Sequence, residues 1–188
     1  MKKNVNEIFI NIITPSIRPK NLYKISESIN IPKENYRWIV VFDLPTIPDK
    51  ELIPENCEYY LHQDIESKFG NSQRNFALNL ISDGYVYFND DDTTLHPDLW
   101  ENIKNTQCDF ISFIQLSPFG DIRLIGNKIS VGTIDSHNFL VKRSTIGDIR
   151  FIKKLYEADG YFASTVYQNT ENKCWIDKPL SIYNTLRS

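Results

Sequence analysis

Three carboxylates in a row, Asp90-Asp91-Asp92, close the apolar and aromatic run Tyr85-Val86-Tyr87-Phe88-Asn89. Like charges so close raise one another's pKa unless a cation shares the site. Carboxylate oxygens are hard ligands that suit magnesium, manganese or calcium. A helix-loop-helix calcium site is excluded. Asp90, Asp92 and Glu101 fall at its first, third and twelfth places, but Leu95 stands where glycine is needed and Pro97 opens a helix inside the loop. Four other places carry chemistry: Asp43 after an apolar run, Arg74 in a helical stretch, a lone His137, and the acidic pair Glu157 and Asp159. Each also has a plainer reading. Asp43 suits a strand-end turn, Arg74 a solvated helix, His137 a hydrogen-bonded interior, and the pair a charged helix surface.

The elements that position these residues follow from periodicity. Residues 7–14 (EIFINIIT) read as a buried strand, with a loop from Pro15 to Pro19 and a helix carrying Leu22, Ile25 and Ile29. Residues 36–43 (YRWIVVFD) form a second buried strand, the proline-rich 44–56 a loop, and 57–63 a third strand. A helix capped by Asn71 or Ser72 then turns Phe76, Ala77, Leu80 and Ile81 inward, leaving Arg74, Asn75 and Asn79 off that face and Arg74 free to meet a ligand. The strand ending at the aspartates comes next, and Pro97 opens a helix with Leu99, Trp100 and Ile103 buried. Ligands of α/β proteins bind beyond the carboxyl ends of such strands. The second half is hairpin-rich: short β runs at 110–116, 122–125, 129–131 and 139–141, helical spacing over 151–168 broken at 157–160, and a last strand including 174–176 and 182–183.

Length and composition bound the rest. A chain of 188 residues without repeats or linkers suits one domain, and 41% apolar with 24% charged residues is ordinary for a soluble protein. A net charge of −3 gives no general attraction to nucleic acid or anionic membrane. The apolar run from Ile8 to Ile13 is too short for a signal sequence or a membrane span. Cys57, Cys108 and Cys174 are sparse and odd in number, which fits buried thiols in a reducing compartment and a cytoplasmic protein.

In series these motifs resemble the GT-A glycosyltransferases, specifically the family 2-like group, from Ile8 to about Phe162. Ile13-Thr14-Pro15-Ser16-Ile17-Arg18 resembles the first strand and the loop that touches the nucleobase. Val40-Val41-Phe42-Asp43 is similar to the second strand, whose terminal Asp contacts base or ribose. Gly70-Asn71-Ser72-Gln73-Arg74-Asn75 resembles the Gly-x-x-x-Arg-Asn helix, and Tyr85 to Pro97 resembles the Asp-x-Asp strand. The resemblance implies an α/β fold of three α/β/α layers around a mixed sheet. It divides one domain, 1–188, into a nucleotide-sugar half (about 1–105) and an acceptor half (about 106–188).

It also implies roles. Pro15, Ser16, Arg18 and Asp43 would meet the nucleotide. Asp92 would be the principal ligand of Mn2+ or Mg2+, with Asp90 beside it toward ribose or a metal-bound water, and Asp91 the spacer on the nucleotide side. Arg74 would add positive charge, and His137, in the acceptor-side segment 132–141, would complete the metal site. Asp159 would be the base of an inverting transfer, with Glu157 the alternative, although Ala158 stands where the family often has the first carboxylate. The implied donor is a nucleotide-sugar, UDP favoured, and the acceptor a hydroxyl on a glycan, lipid or protein. Without a Gln-x-x-Arg-Trp signature, one sugar per encounter is expected. Two alternatives stand beside this. Asp90-x-Asp92-x-Thr94 also resembles the haloacid-dehalogenase-like phosphatases, with Asp90 as nucleophile, but that motif usually ends a first strand. A nucleotide-sugar-binding protein that has lost transfer is the other.

Overall fold

Apolar residues run almost without break through the central strands, as they must where a sheet is covered on both faces. The computed structural model of the chain describes residues 7–187, so the basic N-terminal residues and both ends of the expected 1–188 unit lie outside it. Strands β1 (Ile10–Ser16), β2 (Tyr36–Phe42), β3 (Glu58–Leu61) and β4 (Tyr85–Phe88) pair in parallel in the spatial order β3-β2-β1-β4. The sheet continues through β5 (Phe110–Leu116), β6 (Ile122–Leu124), β7 (Phe139–Lys142) and β8 (Lys173–Ile182). Here β7 lies antiparallel between β4 and β5, β6 pairs antiparallel with the end of β5, and β8 runs parallel to β5. The expected mixed sheet is present.

Side chains of period two divide the core between its faces. Ile10, Ile12, Val40, Tyr85 and Tyr87 pack under α1 (Leu22–Ser28) and α3 (Leu99–Ile103). Ile13, Ile39, Val41, Val86 and Phe88 pack against α2 (Asn71–Leu78), α4 (Arg143–Ile146) and α5 (Ala158–Gln168). That makes the three layers. Phe88 is fully buried and its ring meets Phe139, Phe151 and Phe162. Truncating such a side chain costs about 3–5 kcal/mol, so the strand that presents the aspartates is firmly anchored.

Several boundaries differ from expectation. β1 starts later and runs through Pro15, which pairs with Val41 of β2 but lies past the last β4 partner, Ile13↔Phe88; a missing N–H is tolerated where a strand edge is free. α1 stops at Ser28, leaving Ile29 extended, and α2 stops at Leu78 before Leu80 and Ile81. Neither Asn71 nor Ser72 caps α2. Gly70 occupies the cap position at φ +72°, and the Ser67 hydroxyl accepts from the Ser72 N–H at 3.0 Å. Residues 129–131 form no strand, and helix over 151–168 is confined to α5. The cysteine reading is also corrected. Cys108 and Cys174 pair across β5 and β8 as a disulfide with Cα atoms 5.8 Å apart, leaving Cys57 free. Among the described residues, no helix is long and apolar enough to cross a membrane.

Candidate active site

The loops at the carboxyl ends of β1, β2 and β4 open onto a cleft of about 540 Å3, closed on the far side by residues from the second half. Pro15, Ser16, Arg18, Asp43, Arg74, Asp90, Asp91, Asp92, Glu157 and Asp159 all line it; His137 does not. The three aspartates, adjacent in sequence, face three different environments.

Asp91 turns back to the β1 loop. One oxygen accepts the N–H groups of Ile17 and Arg18, each at 2.7 Å, and the other accepts from the Arg18 guanidinium at 2.6 Å. Asp91 therefore acts as a clasp that fixes the Pro15–Arg18 turn. Asp90 is paired with Arg74 through Oδ1 and lies 3.2 Å from His137 Nε2 through Oδ2. Burial works against its charge, but Arg74 and His137 outweigh that and hold the carboxyl well below the usual range. Both oxygens of a phosphatase nucleophile would thus be engaged.

Asp92 is different. Its nearest cation is the Arg18 guanidinium at 3.5 Å, and the Asn184 amide lies 3.2 Å from its other oxygen. Burial, then the charge of Asp90, pushes its pKa up. A buried carboxylate facing a cleft, whose counter-charge at 3.5 Å is shared with Asp91, is a fitting ligand for a hard cation. Among the described residues no three His, Cys, Asp or Glu side chains converge on one point. Magnesium binds through one or two carboxylates and takes its remaining ligands from substrate phosphates and water, so Asp92 with Asp90 beside it would be the protein's share of such a site.

The sequence placed Arg74 free on the helix surface, and the structure corrects this. It is 5% exposed. Besides Asp90 it donates to the Phe69 carbonyl at 2.6 Å and lies over the Phe151 ring. An Arg in the first turn of α2 is buried because a carboxylate 16 positions later receives it. His137 stands behind Asp90, 1% exposed, in the 3-10 turn Ser136–Asn138. Its Nε2 is 3.0 Å from the Asp90 N–H, and Nδ1 is 3.2 Å from Asp135. Burial disfavours the imidazolium, but Asp90 and Asp135 outweigh it and raise the pKa to about 9. Nε2 faces the backbone N–H and carboxylate of Asp90, and the buried Nδ1 lies near Asp135 without a hydrogen bond, so His137 reaches the cleft only through Asp90.

On the opposite wall, Glu157 precedes α5 and Asp159 lies in its first turn. Burial, then Asp135, raises Asp159 to about 6, although the Gly160 N–H donates to it at 2.7 Å. A carboxylate with that pKa can hold or release a proton near neutral pH. Sequence reasoning missed Asp135, Arg123 and the returning C-terminal segment. Asp135 accepts from Arg123 at 2.9 Å, Arg123 lies 3.8 Å from the centre of the Tyr183 ring, and Tyr183, Asn184 and Arg187 line the cleft. The apolar run 182–183 signalled a strand end but not where it leads.

No family model matches the chain, and no curated protein matches it. Solved structures do. S. aureus TarS 1–349 aligns with a TM-score of 0.74 over 93% of this chain and 60% of its own, at 16% identity. The same protein in complex with UDP-GlcNAc gives 0.70, with 93% and 58% covered at 16% identity. Mannosyltransferase PcManGT from Pyrobaculum calidifontis, in complex with GDP-Man and Mn2+, gives 0.67, with 96% and 58% covered at 12% identity. The fold is that of the GT-A glycosyltransferases. This chain spans about three fifths of the length of these GT-A neighbours, and at such identities the likeness concerns the fold. In GT-A terms, the cleft lies beyond the carboxyl edge of the parallel strands, with the aspartates of β4 at its floor.

Proposed function

We propose that this chain is a metal-dependent, inverting glycosyltransferase that moves a sugar from a nucleotide-sugar, preferably a UDP-sugar, to a hydroxyl of a glycan, lipid or protein. The observation that carries the reading is Asp92: a buried carboxylate, pKa raised, facing a cleft whose other wall holds Asp159. Residues of about 1–105 would chiefly bind the donor and about 106–188 the acceptor, as one catalytic unit.

The β1 turn, clasped by Asp91, offers Pro15, Ser16 and Arg18 to the nucleoside, with Asp43 at the end of β2 beside it. Asp92, with Asp90 next to it, would hold Mn2+ or Mg2+, whose chemistry when bound is to offset the charge on the departing diphosphate, an effect of several kcal/mol in order of magnitude. Arg74 and His137 serve by fixing Asp90 rather than by touching the diphosphate. Asp159 takes the proton of the acceptor hydroxyl as its oxygen attacks the anomeric carbon from the face opposite the leaving nucleoside diphosphate. Positioned general bases contribute about 10²–10⁴-fold. Glu157, exposed at the head of α5, is the alternative base. A cytoplasmic site of action belongs to this proposal, although a disulfide such as Cys108–Cys174 is rare in that compartment.

Calorimetric titration with UDP, with and without manganese, tests the reading. Wild type should bind UDP more tightly with the metal, and Asp92→Ala should lose that gain. Absence of UDP binding in the presence of manganese sinks the proposal. Binding without hydrolysis or transfer from any member of a nucleotide-sugar panel would leave a binding protein that has lost transfer.

A further inference from the structure

The glycosyltransferase reading leaves two large rings at the cleft unexplained. Phe69 is 52% exposed and Tyr156 is 69% exposed, and both line the cleft. Their centroids are 5.2 Å apart with planes at 80°, so they form an open corner rather than a closed stack.

The corner is built. Phe69 has φ +62°, a conformation a bulky L-residue rarely adopts, and the Arg74 guanidinium donates to its carbonyl at 2.6 Å. Such backbone persists only where the surroundings over-determine it, and it concentrates at functional positions. The segment that carries Tyr156 is fastened to the same turn. The Lys68 N–H donates to the Lys153 carbonyl at 3.0 Å, and the Asn71 amide donates to the carbonyls of Ile152 and Leu155 at 3.0 Å each. Both rings are thereby held in fixed relation to Asp159, three residues beyond Tyr156. Exposed apolar area of this size gains nothing from folding, and neither ring belongs to either face of the core.

We propose that Phe69 and Tyr156 form an acceptor subsite for a pyranose ring, which makes the acceptor a saccharide. The proposal rests on the glycosyltransferase reading for the name acceptor, but not for the binding itself. A pyranose presents an apolar C–H face that stacks on an aromatic ring and a hydroxyl rim that needs polar partners. The corner supplies the first, and Glu157 and Asp159 immediately beyond it supply the second. An alkyl chain would leave those carboxylates desolvated and unpaired, which is costly.

Saturation-transfer NMR with a panel of methyl pyranosides and disaccharides tests the subsite, with calorimetric UDP titration in manganese run on the same samples. Wild type should show transfer from ring C–H protons of at least one saccharide. Phe69→Gly and Tyr156→Ala should each weaken that saccharide at least tenfold, whereas Tyr156→Phe should stay within about threefold, the ring alone being required. Phe69→Gly removes the ring but suits φ +62°, so its Tm should match or exceed that of wild type; Tyr156 is exposed enough that its loss leaves the core intact. A wild type that binds UDP but no saccharide, or saccharide binding indifferent to both ring deletions, overturns the subsite and leaves the donor reading standing. Saccharide binding that depends on the rings in a protein that fails to bind UDP supports the subsite and overturns the donor reading.

Discussion

Asp91→Ala deletes a carboxylate that touches no ligand in the proposed chemistry, yet it should damage both stability and donor binding. One oxygen of Asp91 serves two backbone N–H groups at 2.7 Å, and the other serves the Arg18 side chain. An unsatisfied buried donor costs about 1–3 kcal/mol. Ile17 is exposed and Arg18 half-buried, so water reaches part of this turn and the low end applies to each. Two amides at about 1–1.5 kcal/mol, plus a partly exposed ion pair of up to about 1 kcal/mol, total about 3 kcal/mol. For a chain of this length that lowers Tm by roughly 6–12 °C. A loosened turn must also be re-ordered when the nucleotide arrives. Fixing one or two residues at about 1–2 kcal/mol each weakens UDP by roughly 5- to 700-fold. Asp91→Asn is the control: its amide oxygen can keep both N–H bonds while the charge is lost, so it should cost only about 1 kcal/mol. Chemical denaturation and UDP titration measure both effects. An alanine variant within about 0.5 kcal/mol of wild type, or an asparagine variant as unstable as the alanine one, would refute the clasp.

Asp92→Asn should have the opposite effect on stability. Its folded pKa is raised, so folding disfavours the ionised form, a penalty that builds as pH rises from the unfolded to the folded pKa and is fully present above it. Removing the charge should therefore raise Tm at neutral pH without metal while abolishing the manganese-dependent gain in UDP affinity. Transfer should fall about tenfold per pH unit below about 6 as Asp159 is protonated, its carboxyl raised by burial and Asp135, with Asp90 adding to the rise and Arg74 opposing it. Asp159→Asn should lose about 10²–10⁴ in rate and with it that acid limb; a variant that keeps the limb assigns the base elsewhere. In oxidised, denatured protein one thiol should titrate, and three after reduction. Reduction should cost up to about 4 kcal/mol for a bridge spanning 66 residues. Natively Cys57 should react slowly, since burial pushes its thiol up to about 11.

Much of the architecture was legible because it rests on local pattern. Residues 38–42 and 85–88 are continuously apolar, and only a strand covered on both faces uses such runs. Ile129-Ser130-Val131 carried only a brief alternating signal and failed, since a short β-prone run without a partner strand has nothing to pair with. The aspartates could be seen, but not their divergence. Asp91 finds its partners 73 and 74 positions upstream and Asp90 finds His137 47 positions downstream. Arg74 looked solvated because its cation is neutralised by a residue outside its own helix. The disulfide was invisible for the same reason: two cysteines 66 apart meet only because β8 lies along β5. The left-handed backbone at Phe69 leaves no trace in residue type at all.

Asn71 and Asn75 on α2 and Asn79 at its C-cap recur one turn apart, and together they grip the stretch ahead of α5. Asn71 holds Ile152 and Leu155, Asn75 exchanges two bonds with the Phe151 backbone at 2.8 and 2.9 Å, and Asn79 accepts from Arg150 at 2.8 Å. These contacts close loops of 71 to 84 residues. Residues 147–157 contain no strand or helix that could order them earlier. Loop-closure entropy must be met before such distant contacts give anything back, so this seam sets late in folding, after both halves of the sheet exist. Asp159 then has no fixed address in any partly folded chain. The wall carrying Asp159 therefore completes the cleft last, and the proposed donor wall alone would hold nucleotide without being able to act on it.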